Sequence, residues 1–263
     1  MTHSSTPDIF ADWLAAAETR YLADLRVPEV TRALRALSSA YVERRHKVAA
    51  GATLDSAGKR AAFALFYAPL HFLATQQVVR ALGAATPAPS AILDLGCGTG
   101  AAGAAWAIEA GSTPSVTGLD RHPWAVEEAR WTYRRLGLHG HAKHGDASRL
   151  PHVRPDTAII AGYVLNELAE AARMSLEDRL LSAAAQGARV LVLEPIARGV
   201  TPWWDRTAER VRSAGGRADE WRFPIELPTL LRTFDTAAGL NHRELKLRTL
   251  YLPGPGAAAS PEA

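Results

Sequence analysis

The chain has 263 residues, 48% of them hydrophobic, enough for one α/β core of roughly 170 residues with about 80 more beside it. Its 30 basic and 27 acidic side chains leave a formal net charge of +3, which an arginine-rich solvated surface explains and which does not argue for a nucleic-acid partner. The single cysteine, Cys97, excludes an internal disulfide and a cysteine-rich zinc or iron–sulfur site.

The opening MTHSSTPDIFADW lacks the basic and apolar regions of a secretory leader. No apolar run is read as reaching the roughly 18 residues of a bilayer span, so a soluble, cytoplasmic protein with no membrane partner is expected. Residues 8–83 read as helical. Phe10, Trp13, Leu14, Ala17, Tyr21 and Leu25 recur at spacings of three and four, and Val30, Leu34, Leu37 and Tyr41 make a second stripe. A third helical run spans Lys59 to Leu82, where Pro69 is expected to kink or divide it. The small-residue and proline segment from Gly83 to Ser90 is a linker.

Strands and helices alternate after it. Strands are expected at Ala91–Leu95, Ser115–Asp120, Gly140–His144, Thr157–Val164, Arg189–Leu193 and Glu244–Leu252. Helices are expected at Ala101–Ala110, Pro123–Leu136, Ser175–Gln186 and Trp203–Ser213. This order predicts a doubly wound, mostly parallel α/β sheet of Rossmann-like type, with a last strand that pairs antiparallel at one end. The expected division is an N-terminal helical cap at 1–85, a Rossmann-like domain at 86–252 and a disordered tail at 253–263.

The stretch AILDLGCGTGAAG, from Ala91 to Gly103, is the most informative. Gly96, Gly98 and Gly100 alternate where a strand gives way to a helix, which leaves backbone N–H groups free and lets a ligand come close. Two ligands compete for such a loop. Gly98-Thr-Gly100-Ala-Ala-Gly103 fits the dinucleotide fingerprint, with Asp120 at a ribose-binding distance along the chain, so an NAD-dependent oxidoreductase is one reading. Asp94, before the first glycine, would repel a pyrophosphate and suit a cationic ligand, which favours S-adenosylmethionine.

LDLGCGTG resembles the first motif of the class I S-adenosylmethionine-dependent methyltransferases. VTGLDRHPWAVEEA is similar to their second strand, KHGDASRLP to their third motif, TAIIAGYVLNEL to their fourth strand and ARVLVLEP to their fifth. The resemblance covers residues 90–195. It implies a cofactor site made of Asp94, Gly96, Cys97, Gly98, Gly100, Asp120, Arg121, Asp146, Ala147 and Tyr163. Asp120 would bind the ribose hydroxyls and Asp146 would lie near the adenine amino group. On the residues alone, Asp120 also reads as a helix cap and Asp146 as a turn acid. More loosely, LSSAYVERRH, YVLNEL, LEP and LKLRTLYL resemble a methyltransferase-like family associated with assembly of the mitochondrial small ribosomal subunit. That family typically carries a cysteine cluster after its fifth strand; here the stretch reads DEWRFPIELP.

The acceptor side is expected in Tyr163-Val-Leu-Asn166-Glu167-Leu168. Asn166 can accept a hydrogen bond from an acceptor, Glu167 can act as a base and Tyr163 stands beside them; Asn166 and Glu167 equally suit a helix start. Tyr67 and His71, four apart on one helical face, with Glu194, Trp203 and Trp204, are candidate substrate-binding residues. His71 and the tryptophan pair also read as core. No metal motif is read: His139, His141 and His144 alternate near the third strand, where a metal would need them to converge on one point, and they read as solvated or edge-strand histidines. The expectation is direct in-line methyl transfer to a small molecule, with an RNA or ribosomal particle as the alternative. Neither acceptor nor oligomeric state is written in the sequence.

Overall fold

The computed structural model describes residues 8–43 and 54–254. The expected tail, from residue 255 on, and part of LSSAYVERRH fall outside the described residues.

Among the described residues, the helices α1 (Ile9–Tyr21), α2 (Val27–Glu43) and α3 (Ala57–Ala62) come first. Asp8 caps α1, its carboxylate accepting from the N–H groups of Phe10 and Ala11 at 3.2 and 3.3 Å. The predicted stripes face inward, with Trp13, Leu14, Ala17, Val30, Leu34 and Leu37 all buried; the Tyr41 side chain lies outside the described ones. A π-turn at Phe63–Tyr67 then joins α3 to α4 (Ala68–Ala81). The irregularity therefore falls just before Pro69 rather than at it. Pro69 brings no N–H, and the turn closes instead by the Ala68 N–H donating to the Phe63 carbonyl, five residues back.

Because the helix continues through this turn, Ala57–Ala81 is one run of 25 residues, long and apolar enough by length and composition to cross a membrane. This corrects the expectation that no such run exists. In the fold 67% of its apolar window is buried inside the protein.

The sheet consists of β1 (Ala91–Leu95), β2 (Ser115–Asp120), β3 (Gly140–His144), β4 (Thr157–Gly162), β5 (Arg189–Pro195), β6 (Arg217–Pro224) and β7 (Glu244–Leu252). Its spatial order is β3-β2-β1-β4-β5-β7-β6. The first five strands are parallel, and β7 runs antiparallel to β5 on one side and β6 on the other. The helices between them are α5 (Ala101–Glu109), α6 (Pro123–Arg135), α7 (Glu170–Ala185), α8 (Trp204–Ser213) and α9 (Thr229–Ala237).

Both faces of the central strands are covered, which is why they read as unbroken apolar runs. Ile92, Ala158, Ile160, Leu191 and Leu193 enter one core, together with Trp13, Leu34, Phe66 and Phe72 from the N-terminal helices and Trp106 from α5. Leu93, Leu95, Ile159, Ala161, Val190 and Val192 enter the other, under α7 and α8. The N-terminal helices thus share a continuous core with the sheet. An ion pair adds to the attachment: Arg20 on α1 reaches the buried Glu128 on α6 at 2.8 Å.

The sequence reading misses β6. This strand lies at the sheet edge, alternates between exposed and half-buried residues, and carries charges that blunt edge pairing. Helix α7 begins at Glu170, five residues before the expected Ser175, with no side chain capping it at Ala169. Strand β4 stops at Gly162, so Tyr163 and Val164 belong to the loop that follows. The order of strands reverses between β1 and β4, and the crevice outside their carboxyl ends is where ligands bind in such sheets.

Candidate active site

A cavity of about 580 Å³ opens at this crevice, within the range of small-molecule sites. The glycine loop forms its floor. Gly100 sits at the cap of α5 with φ +76°, a left-handed conformation that a side chain disfavours. A Cβ there would come within 2.7 Å of the Tyr133 ring, and one at Gly96 within 2.6 Å of Val164. A Cβ at Gly103 would meet the Asp94 carboxylate at 2.8 Å. These three glycines make room for the protein itself. Gly96 and Gly98 both line the cavity, and Gly98, with φ +52°, has room for a Cβ, whose nearest neighbour would be Phe63 at an ordinary 3.5 Å. Of the three glycines expected at the cofactor, Gly96 and Gly98 line the cavity and Gly100 shapes the turn beside it.

Two carboxylates flank the loop. Asp94, at 1% exposure, accepts from the Gly103 N–H at 2.9 Å and lines the cavity. Burial pushes its carboxyl up to about 7, with the nearby Asp120 charge adding to the effect and the Gly103 bond opposing it. Asp120, at the end of β2, accepts from the Gly98 N–H at 2.9 Å and the His122 N–H at 2.8 Å. It therefore fixes the loop and begins α6, and its carboxylate still lines the cavity. Asp146 accepts from the backbone N–H and hydroxyl of Ser148 at 2.9 and 2.8 Å, which holds its carboxyl below the usual range. It makes the turn expected of it and also lines the cavity, beside Ala147 and Arg121. Cys97 lines the same wall; its buried thiol is pushed well up, which makes it a poor nucleophile.

The loop after β4 supplies the opposite side. Tyr163 adopts φ +62°, uncommon for a non-glycine residue, with its N–H bonded to the Leu193 carbonyl at 2.7 Å. Glu194 is wholly buried and accepts from the N–H groups of Leu165 at 2.9 Å and Asn166 at 3.3 Å. It holds the short turn at Leu165–Glu167 and is not among the cavity-lining residues. Asn166 and Glu167 do line the cavity. Burial raises the Glu167 carboxyl to about 7, against the pull of Arg121.

Phe63, Tyr67 and His71, from the π-turn and α4, close the cavity from above. His71 stacks on Tyr163 with ring centres 4.3 Å apart and planes 22° apart. Phe63 lies edge-on to His71 at 6.0 Å, and the Tyr67 hydroxyl meets Ser38 on α2 at 2.9 Å. Burial lowers His71 to about 4, so this imidazole is neutral near pH 7. Trp203 and Trp204 are not part of this wall. They are buried in the second core, under Arg173 and Arg248 at 5.2 and 4.9 Å from their rings. An indole in that core adds apolar burial, which outweighed the exposed stacking role that adjacency to β5 suggested.

Sequence reasoning missed Phe63, indistinguishable from core in an apolar helix, and the pair Asp235–His242. Asp235 is on α9 and His242 lies between α9 and β7, where no periodicity or motif marks the pair. Among the described residues, no group of three His, Cys, Asp or Glu side chains is placed to hold a metal ion.

The wall therefore offers a glycine-floored cradle, a desolvated carboxylate whose ionised form a nearby cation would favour, and a second carboxylate at a strand end. That set fits S-adenosylmethionine, which carries a sulfonium and an ammonium, and disfavours the pyrophosphate of a dinucleotide. Comparison with known proteins agrees. Residues 92–187 match the family model described as a methyltransferase domain. Sequence comparison finds no matching curated protein. Among solved structures, the chain is similar to a magnesium protoporphyrin IX methyltransferase from Synechocystis PCC 6803 with bound SAM, at 16% identity and TM-score 0.45, over 69% of this chain and 78% of that one. It is similar to a putative RNA methyltransferase from Pyrococcus horikoshii at 14% identity and TM-score 0.45, over 70% and 83%. It is also similar to the glycopeptide N-methyltransferase MtfA at 14% identity and TM-score 0.45, over 68% and 89%. Residues 92–187 carry a methyltransferase domain, and methyl transfer with S-adenosylmethionine as the cofactor is the chemistry that this match and the cavity support.

Proposed function

We propose that the enzyme transfers the methyl group in line to a small, planar acceptor bound beneath the N-terminal helices. One observation carries this reading: the cavity is roofed by the rings of Phe63, Tyr67 and His71 and walled by Tyr163. Such a slot suits a flat molecule. Among the described residues, Arg121 and Lys246 are the only lysine or arginine side chains on the cavity, and Lys246 is paired with Glu244 at 2.8 Å. A surface that tracks an RNA backbone would need more.

In this reading Asp120 takes the ribose hydroxyls and Asp94 balances the cationic end of the cofactor. Asp146 and Ala147 border the adenine, with Arg121 beside them. The chain at Gly96, Cys97, Gly98 and Gly100 forms the floor. Tyr163, Asn166 and Glu167 face the methyl-transfer side, and the neutral His71 adds no charge to repel a sulfonium. The single cysteine and the buried packing of the Ala57–Ala81 run support a cytoplasmic enzyme.

Incubating the protein with methyl-labelled S-adenosylmethionine and fractionated cell extract tests the acceptor. Label in small metabolites is the expected result; label confined to RNA would overturn the small-acceptor reading. Asp120→Ala is expected to weaken S-adenosylmethionine binding about 10- to 100-fold, as for loss of charge-assisted hydrogen bonds. Unchanged affinity by calorimetry would remove the ribose assignment.

A further inference from the structure

The loop before β7 presents His242, which lines the cavity with Leu245 and Lys246. Asp235, on α9, is buried at 4% exposure and spends both carboxylate oxygens on this one residue. Oδ2 accepts from the His242 backbone N–H at 2.8 Å and Oδ1 meets the ring Nδ1 at 2.5 Å. A carboxylate accepts, so Nδ1 carries the hydrogen, and in the neutral ring the lone pair is then on Nε2. The Phe66 ring packs edge-on at 6.0 Å and limits how the imidazole can turn. The imidazole is 37% exposed, enough to exchange a proton with water.

We propose that His242 is the general base of methyl transfer, that Asp235 is its positioning residue, and that the acceptor atom is a phenol-type hydroxyl. This rests on the planar-acceptor reading above and deepens it. A neutral amine attacks with a lone pair it already has, whereas a hydroxyl is a weak nucleophile until its proton is removed. His242 Nε2 takes that proton as the oxygen lone pair forms the new bond to the methyl carbon. The carbon–sulfur bond breaks with its electron pair going to sulfur, and the positive charge lost there reappears on the imidazolium. Asp235 then faces a cation, and the proton leaves through the exposed side of the ring. The other candidates in the cavity are less suited. His71 is buried, stacked on Tyr163 and hard to protonate, and Glu167 is buried within the fields of Asp120 and Arg121 and has no partner that orients it as Asp235 orients His242 among the hydrogen bonds described.

4-Nitrophenol, whose anion absorbs in the visible, tests this without turnover. The protein is saturated with S-adenosylhomocysteine and titrated with the probe at a pH below the probe's own ionisation. The wild type is expected to bind it and show the phenolate band. His242→Gln should still bind it within about three-fold while the band falls about ten-fold, and Asp235→Asn should lower the band in the same direction. Binding with an equal band in wild type and His242→Gln would overturn the base assignment and leave the planar pocket standing. No binding by the wild type would overturn both. Thermal melting of His242→Gln close to wild type guards against misfolding as the cause.

Discussion

Replacing Asp94 with asparagine is expected to stabilise the ligand-free protein near neutral pH and, at the same time, to weaken S-adenosylmethionine binding. Asp94 is buried, and its carboxyl titrates at about 7 instead of its ordinary 3.8. Between those two values the folded protein holds a proton that the unfolded chain has released. Stability therefore falls as pH rises through that window. An amide has no such penalty and can still accept from the Gly103 N–H. The stability advantage of Asp94→Asn should grow from about pH 4 to pH 7 and level off above, reaching on the order of 4 kcal/mol. His71 works in the other direction: its contribution is present above 6.5 and lost as pH falls towards about 4. Being common to both proteins, it cancels in the difference. Urea melts across this range measure the gap. Calorimetry in buffers of different ionisation enthalpy adds a second readout, because a cation entering beside Asp94 should expel a fraction of a proton at pH 7 from the wild type and less from the variant. A variant that binds the cofactor as tightly as wild type would remove Asp94 from the binding site. A gap independent of pH would mean the carboxyl is not desolvated.

The contrast between Asp94 and His242 shows what the sequence discloses. Asp94 precedes three alternating glycines at a strand end, and that local pattern already speaks of a cationic ligand. Asp120 and Asp146 are legible for the same reason, each at the end of a strand or in a turn of fixed type. The sheet core is legible because β1, β4 and β5 are covered on both faces and read as apolar runs. The rest of the cavity wall is assembled from parts far apart in the chain: Phe63 and His71 in a helical run, Tyr163 after β4, His242 before β7. No spacing rule links them. Each looks like core or loop until the chain is folded. The edge strand β6 escaped because half of it faces solvent, and the strain at Tyr163 is a backbone property that residue type does not encode.

The two glycines at either end of the Gly98–Gly100 segment are expected to fail in opposite ways when replaced by alanine. At Gly100 the new methyl would stand 2.7 Å from a ring carbon of Tyr133, which is wholly buried and cannot retreat. The left-handed backbone at φ +76° adds about 1–2 kcal/mol of strain, and overpacking adds a comparable amount. Gly100→Ala should therefore lose about 3 kcal/mol of stability, enough to lower the melting temperature of a domain this size by several degrees. At Gly98 the methyl meets only Phe63, at 3.5 Å, so the cost is the backbone strain of about 1 kcal/mol. It does, however, project into the cavity where the cofactor must approach the chain. Gly98→Ala should fold nearly as well as wild type and bind S-adenosylmethionine at least about ten-fold more weakly, the loss of roughly 1.4 kcal/mol. Thermal melts and calorimetry on the pair separate the two effects. If Gly98→Ala bound the cofactor normally, the loop would be glycine-rich for packing alone, and the ligand would have to lie elsewhere in the cavity.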